Sequence, residues 1–349
     1  MNFDFQSYGI TRDQFAELLS TTDSLLLQTL YAEARAARNR VYGNKVFMRG
    51  LVEISSYCKN NCLYCGLRRD NGLAVRYRLE PLQILQCCDK GYALGFRTFV
   101  LQGGEDPWFT DERLIPIVQE LHRRHPDCAI TLSLGERSYE SYKALREAGA
   151  ERYLLRHETA NENHYAQLHP VEMSFSHRMQ CLSHLKALGY QVGCGFMVGS
   201  PGQTISTLYE DIQFVHHFQP AMVGIGPFIP ASGTPLEQYL YDASVPESIA
   251  NTVDVTLRLL AIIRLLHPRV LLPATTALAT LHPQGREMGL QSGANVVMPN
   301  LSPIESRSKY SIYNNKASLG NEGAEAAEAT RRQLGKIGFD ASPDRGDMV

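Results

Sequence analysis

The chain has 349 residues with a formal net charge of −2, and hydrophobic residues make up 44% of it. This composition is that of an ordinary globular protein, long enough for one barrel with extensions or for two smaller domains. A near-neutral charge gives no basic surface of the kind that nucleic-acid binding needs, so we expect a small-molecule substrate and no nucleic acid. The first residues lack the pattern of a secretory signal, and no apolar run reaches the roughly 18 residues of a membrane span, so we expect a cytoplasmic protein.

Residues 1–45 are predicted to form a helical extension. Apolar residues recur there at helical spacing: Phe15, Leu18, Leu19, Leu25, Leu26 and Leu30. Thr22 and Asp23 interrupt the pattern in the way that a helix cap does. We therefore expect a short helical segment that packs against the main domain.

From residue 46 onward, short apolar runs alternate with longer amphipathic segments. The predicted strands are 47–54, 97–101, 129–134, 152–155, 191–198, 222–225, 270–272 and 294–298. The predicted helices are 81–94, 112–124, 138–148, 174–188, 204–218, 246–266 and 284–292. Eight strands separated by helices predict an α/β fold, a complete (β/α)8 barrel of the TIM type, with a doubly wound open sheet as the alternative. The barrel would occupy residues 46–300, and residues 301–349 would form a C-terminal cap that closes it.

Three cysteines lie close together directly after the first predicted strand. Cys58, Cys62 and Cys65 form a C-x3-C-x2-C motif, and all eight cysteines of the chain precede residue 195. A four-iron cluster that only transfers electrons takes four thiolates, whereas three leave one iron open to S-adenosyl-L-methionine (SAM). The alternatives are a zinc site completed by a distant histidine or three buried thiols, but the chain contains no second C-x2-C half-site. The motif therefore favours one 4Fe-4S cluster with SAM as its ligand.

The predicted strand ends supply polar groups for a site, because chemistry in a β/α barrel takes place at the carboxyl ends of the strands. After the second strand, two glycines allow close backbone approach to a ligand, and the following Glu105 can anchor an amino group. After the fourth strand, Arg156 and Glu158 point to the same side of an extended segment. We expect Glu158 to bind SAM and Arg156 to bind an anionic substrate, with a structural ion pair as the alternative.

Several blocks of the sequence resemble the HydE family of FeFe-hydrogenase maturases, which is related to biotin synthase and methylornithine synthase. The blocks include YCKNNCLYCGLRRDN (57–71), LQGGEDP (101–107), ERYLLRHETAN (151–161), MVGSPGQT (197–204), LPATTA (272–277) and SGANVVMPN (292–300). The resemblance implies a radical SAM enzyme that helps to build the di-iron subcluster of the hydrogenase. SAM would be cleaved reductively to a 5'-deoxyadenosyl radical, which would attack a small, anionic, sulfur-containing substrate such as a cysteine-bound iron complex.

The resemblance also implies roles for individual residues. Tyr64, Glu158 and Arg178 match SAM contacts, with the glutamate on the ribose and the arginine on the carboxylate. The other expected cofactor contacts are Gly103, Gly104, Glu105, Ser133 and Met197. The residues expected to line the substrate cavity are Gln102, Thr131, Arg156, Thr275, Thr276, Met298, Tyr310 and Tyr313. The expected partners are an electron donor and other hydrogenase maturases.

The sequence departs from many relatives at two places. Relatives often have three further cysteines near the C-terminus for an auxiliary cluster, but residues 314–327 contain none here. Gly103 is a serine in some relatives. Two alternative functions stay open at this point: another small-molecule radical SAM enzyme, such as a methylornithine synthase, and a non-catalytic carrier of an iron complex.

Overall fold

The computed structural model describes residue 5 and residues 9–238, 252–316 and 323–349. Its helices are α1 (Arg12–Ser20), α2 (Ser24–Tyr42), α3 (Pro81–Ala93), α4 (Asp111–Arg124), α5 (Tyr139–Glu147), α6 (Glu162–Leu168), α7 (Phe175–Ala187), α8 (Ile205–Phe218), α9 (Thr252–Leu266), α10 (Thr276–Leu281), α11 (Gly285–Gln291), α12 (Ile304–Arg307) and α13 (Gly323–Lys336). Of the predicted helix 246–266, residues 246–251 lie outside the described residues.

The strands are short and mostly buried. They are β1 (Lys45–Met48), β2 (Gly50–Ser55), β3 (Thr98–Gly103), β4 (Ala129–Ser133), β5 (Ala150–Leu154), β6 (Gln191–Cys194), β7 (Met197–Val198), β8 (Met222–Val223), β9 (Gly226–Pro227), β10 (Val296–Val297) and β11 (Asp340–Ser342). Strands buried on both faces read as continuous apolar runs, which is why the sequence located most of them.

A six-stranded parallel sheet forms the centre of the fold. Its order is β2-β3-β4-β5-β6-β8, and every neighbouring pair is parallel. Each connection between neighbours contains at least one helix, as a parallel crossover requires. The strand order contains no reversal of the kind that defines a doubly wound sheet. The predicted α/β class and parallel sheet are therefore confirmed.

Single parallel contacts continue the pairing beyond β8. In spatial order they join Met222 to Leu271, Pro273 to Val296, β10 to β1, and Asn300 to Leu51. The predicted seventh strand, 270–272, is therefore represented by isolated bridges rather than by a regular strand. The series of contacts returns to β2, the strand at which the six-stranded sheet begins.

The predicted first strand, 47–54, is divided into β1 and β2 at Arg49. The Arg49 side chain is buried, and its Nη2 donates to the Gly346 carbonyl at 3.4 Å. β1 pairs on one side with β10 and on the other with β11, whereas β2 pairs with β3. The C-terminal strand β11, which the sequence did not predict, therefore packs beside the start of the main sheet.

Helix α9 is buried on all its faces. The arginines that interrupt its apolar sequence donate hydrogen bonds to backbone carbonyls. Arg258 Nη1 donates to the carbonyls of Leu18, Leu19 and Thr21 at 3.2, 2.9 and 3.0 Å, at the end of α1. Carbonyls at a helix C-terminus have no partner within the helix, so this arginine supplies one. Arg264 similarly donates to three backbone carbonyls. Among the described helices, none is long and apolar enough to cross a membrane.

Candidate active site

A cavity of about 380 Å³ opens at the carboxyl ends of the central strands. The three cysteines of the motif line it, together with every predicted cofactor or substrate contact except Thr131. Thr131 lies on β4 and faces a smaller, deeper cavity shared with Arg49 and Arg152. The two cavities adjoin, because Leu154 and Met222 line both.

The backbone of the cysteine loop is fixed by hydrogen bonds that do not involve sulfur. Arg76 Nη1 donates to the carbonyls of Ser56 and Leu67 at 2.6 and 2.9 Å, and its Nη2 donates to Arg68 O at 2.7 Å. The Gly66 amide donates to Ile312 O at 2.9 Å. The backbone of the loop is therefore held by contacts that leave the three thiols available as ligands.

The three thiols lie in the wall of one cavity, since Cys58, Cys62 and Cys65 all line it. Three thiolates from one short loop suit a cluster of several iron ions in which one iron stays open to a further ligand.

Burial keeps the three cysteines protonated when no metal is bound. It raises the pKa of the Cys65 thiol to about 12, and it also raises the pKa values of Cys58 and Cys62. The pKa values of Cys62 and Cys65 are raised further by the negative charge that a neighbouring thiolate would carry. Cationic iron removes that repulsion, so metal binding and proton release are coupled at this loop.

Gly104 is required by the packing of the cysteine loop. A Cβ at position 104 would lie 2.2 Å from Tyr57 O and 2.8 Å from Cys58 Cβ, whereas a Cβ at position 103 would have no neighbour closer than 3.4 Å. Of these two residues, only Gly104 must be glycine for steric reasons. The group that approaches it closely is the backbone of the cysteine loop.

Glu105 ties two loops of the site together. Its carboxylate accepts a hydrogen bond from the Glu136 amide at 2.9 Å, and its carbonyl accepts one from the Lys59 amide at 2.9 Å. The other carboxylate oxygen lies 3.5 Å from Lys59 Nζ. The side chain that was expected to anchor an amino group therefore also links the cysteine loop with the loop after β4, and its Oε2 has no hydrogen-bond partner among the described residues.

Arg156 and Glu158 face each other at the cavity wall. Arg156 Nη2 lies 3.2 Å from Glu158 Oε2, but the two groups are not oriented for a hydrogen bond. Neither atom has a hydrogen-bond partner among the described residues. Glu158 has a φ of 66°, which is an uncommon conformation for a residue other than glycine. Such strained positions are often found where a side chain meets a ligand. Arg156 and Glu158 thus form the predicted ion pair, and each still has a polar atom that can form a hydrogen bond to a ligand.

Arg178 is buried at the edge of the same cavity. Its Nη1 donates to Arg156 O at 2.7 Å, and its Nε donates to the carboxylate of Glu136. Glu136 was not predicted as a site residue, because it lies in a loop after β4 and reaches Arg178 only through the tertiary fold. The arginine assigned to the carboxylate of SAM is therefore fixed in place by a glutamate.

A buried ion pair lies among the cavity residues that the C-terminal segment contributes. Lys316 pairs with the carboxylate of Glu53, which also accepts a hydrogen bond from Asn300 Nδ2 at 2.8 Å. Lys316 Nζ donates to Tyr310 O at 3.1 Å, and Gln102 Nε2 donates to the Tyr310 hydroxyl at 3.3 Å. The sequence analysis missed Glu53, although a carboxylate within an otherwise apolar strand was a signal that could have identified it.

Arg286 is a third arginine of the cavity wall, and it was not predicted from the sequence. It lies on α11 and lines the cavity, and burial lowers its pKa. The structure gives it no hydrogen bond or ion pair with any described residue. Thr275 Oγ1, in the same lining, is also buried without a hydrogen-bond partner. This wall therefore presents a cation and a hydroxyl that are free to bind a ligand.

Comparison with known proteins identifies the class to which this fold and site belong. Residues 52–215 match the family model described as the radical SAM superfamily, and this range contains the cysteine loop and all the expected SAM contacts. The chain is a radical SAM enzyme, and its cofactors are a 4Fe-4S cluster and SAM. This class membership argues against the alternative of a non-catalytic carrier.

Within that superfamily, the chain belongs to the HydE family. It is 43% identical over 306 residues to the [FeFe] hydrogenase maturase subunit HydE of Thermotoga maritima, covering 88% of this chain and 84% of that protein. It is 30% identical over 310 residues to the 3-methylornithine synthase of Methanosarcina acetivorans, covering 87% and 84%. A crystal structure of methylornithine synthase (PylB) matches with a TM-score of 0.80 at 27% identity, over 97% of this chain and 96% of that one.

Proposed function

We propose that this enzyme acts in the maturation of [FeFe] hydrogenase on a small, anionic, sulfur-containing substrate, such as a cysteine-bound iron complex. The observation that carries the proposal is the composition of one cavity. The cysteine triad lies in its wall together with two arginines, Arg156 and Arg286, whose guanidinium groups are not fully used by the protein. A cavity of this kind favours a compact anion over an apolar chain.

We also propose that the sheet is a complete eight-stranded barrel, with residues 1–45 as an N-terminal extension and residues 301–349 as the segment that closes it. The single parallel contacts that lead from β8 back to β2 support the closed barrel. Tyr310, Tyr313 and Lys316 support the closing role, because the C-terminal segment brings them into the cavity wall. A cytoplasmic location remains part of the proposal.

Cys58, Cys62 and Cys65 would ligate the cluster, and Tyr64, Glu158 and Arg178 would bind SAM. When bound, the cluster and SAM together supply a 5'-deoxyadenosyl radical through reductive cleavage, with electrons from a separate donor. The residues of the chain then have three tasks: to hold SAM in one orientation, to bind the substrate within reach, and to keep water away from the reacting atoms. The buried lining serves the third task.

Binding of the substrate anion would fall to the part of the lining that SAM does not use. Arg156 and Arg286 supply positive charge, and Thr275, Tyr310 and Tyr313 supply hydroxyl groups. In a cavity with little water, hydrogen bonds between charged groups are strong and depend on direction. These groups would hold the substrate sulfur at a fixed position in the cavity.

The central experiment is an anaerobic incubation of the reduced, cluster-containing enzyme with SAM, followed by quantification of 5'-deoxyadenosine. We expect the product with the native enzyme and none with Cys62→Ser, since that substitution removes a cluster ligand. A parallel assay should measure hydrogenase activation when this enzyme is the only HydE-type component among the maturases. Unchanged 5'-deoxyadenosine formation by Cys62→Ser would refute the cluster assignment, and failure to activate hydrogenase would refute the maturation role.

The anionic character of the substrate can be tested with Arg156→Met, which keeps much of the side-chain volume and removes the charge. We expect substrate affinity to fall by about 1 to 3 kcal/mol, the usual cost of leaving a buried charged group without its partner. Arg113→Met is the matched control, because Arg113 stacks on Trp108 outside the cavity. Wild-type substrate affinity in Arg156→Met would leave that residue only a structural role.

A methylornithine synthase activity is the second candidate function, and the TM-score of 0.80 over nearly the whole chain favours it. The two candidates are distinguished by product. The incubations described above should therefore also be analysed for 3-methylornithine. Its formation, without any hydrogenase activation, would support the second candidate and exclude the first.

A further inference from the structure

A second group of metal-binding side chains lies beside Arg178, outside the cysteine loop. Glu136, His177 and Cys181 each offer one ligand atom, and within the described residues these atoms all lie within 4.8 Å of one another. The Glu136 Oε2 to His177 Nε2 distance is 3.6 Å, and the Cys181 Sγ to His177 Nε2 distance is also 3.6 Å. The cysteine cluster and the SAM chemistry do not require this combination of a carboxylate, an imidazole and a thiol.

Secondary structure brings the three side chains together. His177 and Cys181 are four residues apart on α7, so they project from the same face of the helix. Glu136 follows β4 and is held by the hydrogen bond from its amide to Glu105. The preceding Gly135 has a φ of 75°, and a Cβ there would collide with the Glu105 side chain. The group is therefore held by backbone geometry from two separate elements.

We propose that Glu136, His177 and Cys181 bind a zinc ion. Zinc bonds of about 2.0 Å to nitrogen or oxygen and about 2.3 Å to sulfur, in a tetrahedron, place neighbouring ligand atoms about 3.3 to 3.6 Å apart, close to the observed distances. A thiol and an imidazole favour zinc over magnesium or calcium, which prefer oxygen ligands. The His177 side chain is 53% exposed, which gives an ion access from solvent, and the fourth coordination position would be filled by water.

Zinc at this site would also affect Arg178. One oxygen of the Glu136 carboxylate faces His177, and the other accepts the hydrogen bond from Arg178 Nε. A cation bound to the first oxygen reduces the negative charge that holds Arg178, so the guanidinium becomes more available to another carboxylate. This step rests on the proposed assignment of Arg178 to the carboxylate of SAM. We therefore expect zinc to increase SAM affinity several-fold.

The test is an anaerobic titration of the cluster-containing enzyme with Zn²⁺ in competition with a chromophoric chelator, while the cluster absorbance is followed to confirm that the cluster stays intact. The native enzyme should bind one equivalent of zinc that His177→Ala lacks. His177 is exposed, so this substitution leaves the fold intact. The matched control is His184→Ala, on the same helix but outside the group, which should retain the equivalent. Cys181→Ala should lose it as well.

The outcomes separate the parts of the proposal. Equal zinc binding by the native enzyme and His177→Ala, or none by the native enzyme, would overturn the zinc site and leave the proposed hydrogenase role untouched. One equivalent of zinc without any change in SAM affinity would retain the site and overturn its link to Arg178. A zinc-dependent rise in SAM affinity in the native enzyme and in His184→Ala, but not in His177→Ala, would support both.

Discussion

At the scale of single residues, the proposed binding of SAM depends on how the Arg178 side chain is oriented. The guanidinium is planar, and it uses Nε for Glu136 and Nη1 for the carbonyl of residue 156. Those two contacts fix the plane of the group while leaving Nη2 without a hydrogen bond to the described residues. A lysine has a single ammonium group and cannot reproduce this fork.

We expect Arg178→Lys to weaken SAM binding by about 1 to 3 kcal/mol, the range for hydrogen bonds to charged groups. Equilibrium binding of SAM to the cluster-containing enzyme is the measurement. Arg137→Lys is the matched control, since Arg137 pairs with Asp111 and does not line the cavity. Equal SAM affinity in Arg178→Lys and the native enzyme would assign Arg178 to the structural link with Glu136 alone.

The adjacent glycines 103 and 104 allow a second comparison at this scale. Gly104→Ala would place a methyl group 2.2 Å from the Tyr57 carbonyl, so the cysteine loop must move, whereas Gly103→Ala meets only ordinary contacts. We expect Gly104→Ala to lower the iron content after reconstitution to well below half of the native value, and Gly103→Ala to retain it. Circular dichroism should show the same helix content in both. Equal iron content in the two variants would contradict the packing argument.

At the scale of elements, the sequence located the site because the carboxyl ends of parallel strands converge even when strand boundaries are uncertain. Depth within a strand was harder to infer. Thr131 lies two residues before Ser133 on β4, which places it about 7 Å deeper along the strand. Glu136 and Arg286 were missed because their positions depend on how a loop and a helix dock, and neither has a local sequence signal.

The C-terminal segment supports an element-scale prediction about stability. Asp347 pairs with Arg152 at 2.6 Å, and the Arg152 side chain is only 3% exposed. Asp347→Ala would leave that guanidinium buried without its counter-charge. We expect a loss of about 1 to 2 kcal/mol in the free energy of unfolding, a modest value because Asp347 is itself partly exposed to solvent. Asp344→Ala is the control, since its pair with Lys45 is about half exposed on both sides and should change stability by less than about 0.5 kcal/mol. Equal effects in urea unfolding would contradict the distinction.

At the scale of the whole molecule, the enclosed architecture buries several titratable groups in their neutral form. Burial lowers the pKa of His157 and of His169 to about 3 and that of His267 to about 4. His169 is then an acceptor for the Tyr64 hydroxyl, at 3.4 Å, while its Nδ1 donates to the Tyr165 carbonyl at 3.0 Å. The neutral ring thus supports a tyrosine of the cavity wall. Sequence alone could not have shown this, because burial of a histidine follows from the complete fold.

These histidines predict how stability depends on pH. An unfolded histidine has a pKa of about 6.5. Between that pH and the lowered pKa of the folded state, the unfolded chain binds more protons than the folded protein does. The free energy of unfolding must therefore fall as the pH falls. From pH 7.5 to 5.5, His169 and His267, which have no ion pair with the described residues, should each contribute a loss of about 1.4 kcal/mol. His157 is not counted, because its Nε2 lies 3.4 Å from the buried carboxylate of Asp211, whose own pKa is raised by burial. His267→Leu should reduce the loss by about 1.4 kcal/mol, because His267 lies away from the cavity and its Nε2 has no hydrogen-bond partner among the described residues. The measurement is the free energy of unfolding in urea for the cluster-free protein at both pH values. If the pH dependence of His267→Leu equals that of the native protein, His267 is not held neutral by burial.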